Sequence, residues 1–289
     1  MVRELLKTMR PRQWTKNMFF LAALVFDAKL FDPDYLIPSI AGFLLLCLAS
    51  GTVYLINDLV DLEKDKQHPV KRNRPLPSGR LQPKTAVIAA ILFIVIGQPL
   101  GYLLDPGYGL ILSGYLLLQI LYSFLLKNIV LIDALSIAAG FVLRVGAGVA
   151  LVDVERFSPW LFVCMTLLAL FLAFGKRRHE LVLLREDANN HRAILNEYSL
   201  SLLDQIITIV VAANIIAYAL YTFSAEGLPE NHLMMLTIPY VLYALFRYLY
   251  LIHVRGQGGA PEEILLGDRP FIASVFLWGA SVFAIFYVL

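Results

Sequence analysis

Three aspartates with helical spacing stand where a long apolar segment gives way to a basic one. Asp58, Asp61 and Asp65 are spaced so that, on a helix, their carboxylates project from one face. Like charges stacked in this way repel, which favours a cation bound among them. Oxygen ligands suit a hard cation, and Mg²⁺ typically takes one or two carboxylates together with substrate phosphates. The run therefore predicts a Mg²⁺ site, the alternative being a helix end stabilised by local ion pairs.

The segment after these aspartates is rich in basic side chains. It continues through His68, Lys71, Arg72, Arg74 and Arg80. Lysine and arginine are the usual protein ligands of phosphate oxygens. The acidic run and the basic segment together indicate a site for a metal ion and a phosphorylated substrate.

The composition shows what kind of chain must position this site. Hydrophobic residues make up 59% of the 289 residues and charged residues 16%, and the mean hydropathy is +0.70. These values exclude a soluble globular protein and predict a polytopic membrane protein, with the lipid bilayer as its surroundings and no nucleic acid partner. Cys47 and Cys164 both lie in apolar runs, so neither a disulfide framework nor a thiolate metal site is expected.

Apolar stretches long enough to cross a bilayer predict an all-α fold of nine transmembrane helices around a central cavity. We expect one transmembrane domain over residues 1–289, and no cleaved signal in the basic, amphipathic start of the chain. The predicted spans are 15–32, 36–56, 84–104, 108–126, 129–151, 159–175, 203–223, 233–252 and 269–289.

The basic residues are unevenly distributed among the connections between these spans. Of the 24 Lys and Arg residues, five precede or open the first span, seven lie from Lys64 to Lys84 and five from Lys176 to Arg192. The alternate connections hold only Lys29 and Arg156. By the positive-inside rule the N-terminus is cytoplasmic, the C-terminus lies outside, and the chain resides in the cell's inner (plasma) membrane.

Two of the cytoplasmic connections are long and polar. The first, 57–83, holds the acidic run. The second, 176–202, has helical spacing with little apolar content before Ile194, which predicts a helix lying over the cytoplasmic face. They follow the second and sixth spans, so each of two related parts delivers a charged loop, and the candidate active site lies on the cytoplasmic side.

Arg144 stands inside a predicted span, where an ionisable group is a functional candidate by default. A structural ion pair with Asp133 or another bundle-facing carboxylate is the alternative. Tyr122 and Lys127 close another span at the cytoplasmic surface, either as interface anchors or as contacts to a phosphate. Small residues in Arg144's helix allow close packing within one chain or between two copies, so a homo-oligomer is possible; they are Gly140, Gly146 and Gly148.

These features resemble the UbiA superfamily of intramembrane prenyltransferases, whose fold is a bundle of nine transmembrane helices with two charged cytoplasmic loops. The run from Asn57 to Asp65 is similar to the first acidic motif of that superfamily. Its second acidic motif, expected after the sixth span, is poorly matched, because the chain has Gly175-Lys176-Arg177-Arg178-His179-Glu180 there.

That departure is typical of the branch of decaprenyl-phosphate phosphoribosyltransferases. The stretches that resemble this branch are 10–17, 57–61, His68-Pro69, 71–75, Tyr122-Ser123 with Lys127, and 175–180. The resemblance implies transfer of 5-phosphoribose from phosphoribosyl diphosphate to a polyprenyl phosphate such as decaprenyl phosphate. Diphosphate is released, and the product leads toward a cell-wall arabinan precursor.

The resemblance also suggests roles for individual residues. Asp58, Asp61 and Asp65 would hold Mg²⁺. Asn57 would be a neutral metal ligand or a hydrogen-bond donor to a phosphate oxygen. Glu180 would bind a ribose hydroxyl or a second metal. The predicted phosphate binders of the donor are Lys71, Arg72, Arg74, Lys176 and Arg177. The predicted contacts to the acceptor phosphate are Lys16, Tyr122, Lys127 and Arg144. The acceptor is already an anion and needs no strong general base, and its isoprenoid tail would lie in an apolar groove open to lipid.

Two other functions are compatible with parts of the pattern. A prenyltransferase that moves a prenyl group from a prenyl diphosphate to an aromatic acceptor keeps the fold but would carry a full second aspartate motif. A membrane transporter would place its acidic groups near the bilayer midplane, whereas these cluster at a boundary.

Overall fold

The computed structural model describes residues 1–152, 158–186, 193–225, 228–229, 231–257, 264 and 267–288. All regular structure in these residues is helical, which confirms the predicted all-α class. The α-helices are α1 (Val2–Thr8), α2 (Ala22–Phe26), α3 (Pro33–Val60), α4 (Leu62–Gln67), α5 (Pro83–Leu104), α6 (Pro106–Phe124), α7 (Ile132–Val152), α8 (Pro159–Glu186), α9 (Leu200–Ser224), α10 (Ile238–His253) and α11 (Arg269–Tyr287). Five 3₁₀ segments complete the order: Pro11–Leu21, Lys71–Asn73, Leu126–Asn128, Ala193–Glu197 and Leu233–Thr237.

Within the described residues, eight helices are long and apolar enough to cross a membrane, so the chain is a multi-pass membrane protein. They are α3, α5, α6, α7, Pro159–Leu183 of α8, α9, Leu233–His253 and α11. These eight correspond to the second to ninth predicted spans. The arrangement of spans around a central cavity and the single domain over 1–289 stay predictions.

The first predicted span, 15–32, differs in the structure. Its residues belong to the 3₁₀ segment Pro11–Leu21 and the short helix α2, followed by a turn that contains an ion pair between Lys29 and Asp27. The sequence prediction missed this because hydropathy does not distinguish a 3₁₀ helix from an α-helix. Gly148 lets the segment approach closely, since an added Cβ would overlap the carbonyl oxygen of Phe20.

Helix starts follow local rules that the sequence displays. Asp32, Asp105 and Asp268 each accept a hydrogen bond from a backbone N–H in the first turn of α3, α6 and α11, respectively. Each of these three helices also has proline in its first turn, where the missing N–H costs no hydrogen bond. Ser199 caps α9 in the same way.

The chain forms two compact units. The first comprises Met1–Lys127 and Leu143–Val154, and the second Asn128–Val142 and Glu155–Leu289. In the first unit α3 packs on α5 and α6 around Phe20, Tyr108 and Tyr115. In the second unit α8 packs along α9, and α10 packs on α11, with Phe171, Tyr248 and Phe271 in the core.

The structure of both predicted loops differs from the expectation. Helix α3 continues to Val60, and α4 follows within the first loop. The prediction of a separate helix over the membrane face in 176–202 is wrong for its first part, because α8 continues without a break to Glu186. Residues 187–192 of that loop, and Arg156, lie outside the described residues.

Candidate active site

In the first unit, two of the three aspartates of the acidic run contact the same arginine, Arg74. Arg74 Nη1 lies 2.7 Å from Asp65 Oδ2 and 3.3 Å from Asp58 Oδ1. Lys71 Nζ lies 3.6 Å from the other oxygen of Asp65. Asp58 and Asp65 are buried, so the cluster holds charged carboxylates that need these partners.

The loop that follows α4 places the Arg74 side chain next to Asp58 and Asp65. The loop beyond α4 ends in Leu76 and Leu81, which are 2% and 1% exposed and pack in one apolar cluster with Leu55 of α3. Ser78 Oγ donates to the carbonyl of Arg74, and Gly79 takes a positive φ of 76° to close the turn. The burial of Leu76 and Leu81, on either side of the tight turn at Gly79, therefore fixes the position of Arg74.

A third cation reaches the cluster from the start of the chain. Arg10 forms an ion pair with Asp58, and its guanidinium lies 4.7 Å from the ring centroid of Tyr54. Arg10 has a positive φ of 52° at the junction between α1 and the 3₁₀ segment. The cluster thus sets three cations, Arg10, Lys71 and Arg74, against two carboxylates.

Asp61 takes a different direction from Asp58 and Asp65. It caps α3 at the point where the chain turns into α4, and its Oδ1 accepts from Lys127 Nζ at 2.8 Å. The Lys127 side chain is 8% exposed and the Asp61 side chain 19%. No group of three or more metal-ligating side chains stands together in the described parts of the chain, so the three-aspartate site is not preformed.

Arg144 lies in a buried polar network inside the first unit. Its Nε donates to Asn17 Oδ1 and its Nη2 to the Tyr115 hydroxyl, both at 2.9 Å. Asn17 Nδ2 in turn donates to Ser50 Oγ at 3.0 Å and to Cys47 Sγ at 3.2 Å. The alternative of an Arg144–Asp133 ion pair is wrong, because eleven residues of α7 separate the two and Asp133 binds a different arginine.

That arginine is Arg177, in a second charge cluster within the second unit. Arg177 Nε donates to Asp133 Oδ2 and Nη1 donates to Glu180 Oε2, each at 2.5 Å. The Tyr198 hydroxyl donates to Asp133 Oδ1 and accepts from the Leu131 N–H, both at 2.7 Å. Burial and the bond to Asp133 raise the pKa of Tyr198, so its hydroxyl stays protonated.

The remaining predicted site residues are partly or fully exposed. Arg72 and Lys176 are exposed. Asn57, Lys16 and Tyr122 are half-buried. The structure thus gathers Asp58, Asp65, Lys71 and Arg74 in one cluster, Asp61 with Lys127 in a pair, and Arg177 with Glu180 in another cluster.

An apolar groove runs along the first unit. It has a volume of about 730 Å³ and is lined by the N-terminal segment, α3 and α5. Leu6, Met9 and Trp14 contribute from the N-terminal segment, and α3 and α5 contribute aliphatic side chains and Phe93. Such a surface suits a hydrocarbon chain.

Comparison with known families identifies the fold and the chain's relatives. The model of the UbiA prenyltransferase family matches residues 17–258. The chain belongs to this family. The match includes the acidic run from Asn57 to Asp65, so the resemblance inferred from that run is confirmed.

Among UbiA relatives of known name, the chain is similar to two bacterial enzymes along nearly its whole length. The decaprenyl-phosphate phosphoribosyltransferase of Mycolicibacterium smegmatis is 32% identical, over 99% of this chain and 93% of that protein. The enzyme of the same name from Corynebacterium glutamicum is 31% identical, over 99% of this chain and 87% of that protein.

Solved UbiA structures have the same fold. A UbiA homolog from Archaeoglobus fulgidus bound to DMAPP and Mg²⁺ superposes with a TM-score of 0.75 at 18% identity, covering 99% of this chain and all of that one. A homolog from Aeropyrum pernix gives 0.62 at 17% identity, covering 94% and 96%. The predicted membrane fold is therefore confirmed in a second way.

Sequence reasoning missed three residues of the two charge clusters. Arg10 lies in the resembling stretch 10–17, and its position before Pro11 was the available signal. Asp133 was noticed only as a partner for Arg144. Tyr198 carried no signal, because its hydroxyl reaches Asp133 from 65 residues away in the sequence.

Proposed function

We propose that this UbiA family protein transfers 5-phosphoribose from phosphoribosyl diphosphate to a polyprenyl phosphate. The observation that carries the proposal is the similarity to decaprenyl-phosphate phosphoribosyltransferases over 99% of the chain. In this reaction the bond from C1 to the diphosphate oxygen breaks, and a bond from C1 to an acceptor phosphate oxygen forms. The electron pair leaves with diphosphate, and the anionic acceptor needs no base.

The cluster around Asp58 supports the donor part of the proposal. Arg10, Lys71 and Arg74 outnumber the two carboxylates that they contact, so the cluster carries an excess of positive charge. Their side chains are 27%, 38% and 30% exposed, and they can therefore exchange a carboxylate oxygen for a phosphate oxygen. Positive charge held beside the leaving diphosphate stabilises the transition state.

The carboxylate oxygens of this cluster fit a hard divalent cation, which we propose to be Mg²⁺. Asp58 and Asp65 are close enough to share one nitrogen of Arg74, and carboxylate oxygens are the ligands that Mg²⁺ prefers. Bound there, the ion would neutralise charge on the diphosphate. Asp61, paired with Lys127, is the third proposed ligand, and Asn57 lies beside Asp58 as a neutral one.

We propose that the acceptor phosphate contacts cations at the boundary of the membrane, and that its tail lies on apolar surface. Lys16 and Lys127 are the candidate cations from the first unit. The groove lined by Met9, Trp14 and the α3–α5 surface supports a place for the isoprenoid tail. Proximity and charge then provide most of the rate enhancement.

We also propose that the N-terminus and the Asp58 cluster are cytoplasmic and that residues 11–26 are a ninth crossing. Arg10 contacts Asp58 near the end of α3, whereas Ala23 and Leu24 pack near Tyr35 at its start. Eleven residues of 3₁₀ helix at about 2.0 Å each and five of α-helix at about 1.5 Å each extend about 30 Å, the thickness of the hydrocarbon core.

A transfer assay tests the function. Purified protein in detergent is given polyprenyl phosphate and phosphoribosyl diphosphate labelled in the ribose, with and without Mg²⁺. We expect label in the lipid phase only with the metal. Asp58→Asn should lower the rate by about 100-fold or more, because it removes a proposed carboxylate ligand of the Mg²⁺ that neutralises charge on the leaving diphosphate.

Glu63→Gln is the matched control, since Glu63 is an exposed acid of the same run that pairs with the exposed Lys66. It should leave the rate within about twofold. No transfer of label, together with prenylation of an aromatic acid from a prenyl diphosphate, would replace the proposed function by that of an aromatic prenyltransferase.

A further inference from the structure

Arg80 stands at the end of the loop that carries Arg74 and makes hydrogen bonds back to that loop. Its Nη2 donates to the carbonyl of Asn73, and its Nε donates to Ser78 Oγ at 3.0 Å. The Arg80 side chain is 45% exposed, and its Nη1 lies 3.9 Å from Glu4 Oε2 of α1. These contacts join Arg80 to the backbone on either side of Arg74.

The two loop contacts act on the two peptide units that flank the Arg74 Cα. The carbonyl of Asn73 belongs to the preceding peptide, whose N–H bonds to the Lys71 carbonyl at 2.9 Å. The carbonyl of Arg74 belongs to the following peptide and accepts from Ser78 Oγ at 2.5 Å. Arg80 thus holds the first peptide directly and the second through Ser78. Since the two planar peptides set φ and ψ of the residue between them, they also set the direction of its side chain.

The direction of Arg74 matters because one of its nitrogens contacts two carboxylates. Nη1 lies 2.7 Å from Asp65 Oδ2 and 3.3 Å from Asp58 Oδ1. Arginine has a long side chain that gives up rotamer freedom to hold such a geometry, so a small rotation of its backbone displaces the guanidinium. The buried leucines of the loop fix its position, and the bonds from Arg80 fix the orientation of the peptides beside Arg74.

The chemistry of a guanidinium suits this role. It presents several N–H donors in a fixed planar fork, so one side chain bonds to a carbonyl and to a hydroxyl at the same time. Bonds from a charged donor are stronger than those between neutral groups. The exposed pair of Arg80 with Glu4 contributes little by itself. The effect of Arg80 therefore comes from its bonds to the loop.

We propose that Arg80 is a positioning residue of the donor site, which orients the backbone of Arg74 so that its guanidinium reaches Asp58 and Asp65. This inference rests on the proposed function, since it takes that cluster as the place where the diphosphate of the donor binds. Loss of Arg80 weakens diphosphate binding through Arg74 and leaves the fold intact.

The test measures equilibrium binding of labelled inorganic diphosphate, with Mg²⁺, to full-length protein in detergent. Diphosphate is the leaving group of a phosphoribosyl donor and of a prenyl donor, so the probe does not depend on which one the protein uses. Arg80→Met removes the N–H donors and should weaken binding about 3- to 10-fold, the range of one or two hydrogen bonds. Its Tm should change little, because Arg80 is exposed.

A second variant separates positioning from charge. Ser78→Ala keeps every charge and removes the link between Arg80 and the Arg74 carbonyl, so it should weaken diphosphate binding in the same direction. Binding by Ser78→Ala equal to that of the wild type would show that Arg80 contributes only its positive charge, and would overturn the inference. Lys84→Gln is the matched control, since Lys84 is an exposed cation in the first turn of α5; it should bind diphosphate as the wild type does.

A double-mutant cycle shows whether Arg80 acts through Arg74. When Arg74 is already replaced by Gln, adding Arg80→Met should change diphosphate binding by less than about twofold, because no guanidinium remains to be oriented. Equal losses in both backgrounds would mean that Arg80 contacts diphosphate itself or supports the fold in general. Either reading would overturn the inference.

Transfer of labelled phosphoribose to polyprenyl phosphate, measured with the same proteins, separates the inference from the proposed function. Transfer by the wild type with unchanged diphosphate binding in Arg80→Met overturns the inference alone. Absence of transfer with the expected non-additive loss of diphosphate binding overturns the proposed function and leaves the positioning role standing. A wild type that neither binds diphosphate nor transfers phosphoribose overturns both.

Discussion

In the first unit two buried carboxylates share three partly exposed cations, whereas in the second unit one buried arginine is shared by two carboxylates. The cations Arg10, Lys71 and Arg74 are 27–38% exposed, and Arg177 is 2% exposed. Exposed pairs exchange partners at small cost, while breaking a buried pair leaves an uncompensated charge. The first cluster is therefore suited to a charged ligand that comes and goes, and the second to holding one geometry.

The largest expected effect is a loss of stability when the Arg177 cluster of the second unit is disrupted. Arg177→Met leaves Asp133 charged and buried, which should lower the free energy of unfolding by about 3–5 kcal/mol. Thermal unfolding in detergent measures it as a fall in Tm. The double variant Asp133→Leu with Arg177→Met should recover most of the loss, since it removes both buried charges. A single variant as stable as the wild type would contradict the assigned burial.

The next largest effect is a loss of activity when the Asp58 cluster of the first unit loses one of its cations. Arg74→Gln should lower kcat/KM for the phosphoribosyl donor by about 10- to 100-fold, because a charge-assisted bond to phosphate is lost. Its Tm should change little, since the Arg74 side chain is 30% exposed. Lys64→Gln, which removes an exposed cation of α4, is the control and should keep wild-type kinetics. A large fall in the Tm of Arg74→Gln with unchanged kinetics would mean that the first cluster, like the second, contributes to stability and not to donor binding.

A third change concerns Arg144, which resembles Arg177 in burial but not in its described partners. Arg144→Met leaves Asn17 and Tyr115 without their described donor, which should cost about 1–3 kcal/mol of stability. We expect Tm to fall and KM for polyprenyl phosphate to stay constant. A raised KM with an unchanged Tm would instead support the phosphate contact expected from the sequence.

The smallest effect comes from an ion pair at the start of α11. Arg247 contacts both oxygens of Asp268, at 3.1 and 2.9 Å, and this bond lowers the pKa of Asp268 in the folded protein. A lowered folded pKa means that the stabilisation is present above the unfolded value of about 3.9 and is lost as pH falls below it. Tm measured from pH 6 to pH 3 should therefore fall less steeply in Asp268→Asn. Equal slopes would contradict the coupling.

The sequence was sufficient for the parts of the fold and site that depend on local pattern. Apolar length located eight membrane helices, and the spacing of Asp58 and Asp65 placed them in one cluster. Lys71 and Arg74 were found because they follow these aspartates closely in the chain. The excess of apolar residues also indicated an apolar groove.

Long-range packing explains what the sequence could not show. Asp61 leaves the predicted face because α3 ends at Val60, and a lysine 66 residues away binds it. Arg177 looks like a phosphate binder in the string Lys176-Arg177-Arg178, and only the fold brings Asp133 and Tyr198 to it. The 3₁₀ segment Pro11–Leu21 depends on Asn17 and Gly148, whose partners are set by tertiary contact.

The bond between Asn17 and Arg144 joins residues 127 positions apart. During synthesis, the segment Pro11–Leu21 leaves the ribosome long before its arginine partner does. The first unit needs Leu143–Val154, which follow a stretch belonging to the second unit. Its assembly is therefore delayed until about half of the chain has been made, and Asn17 lacks this arginine partner until then.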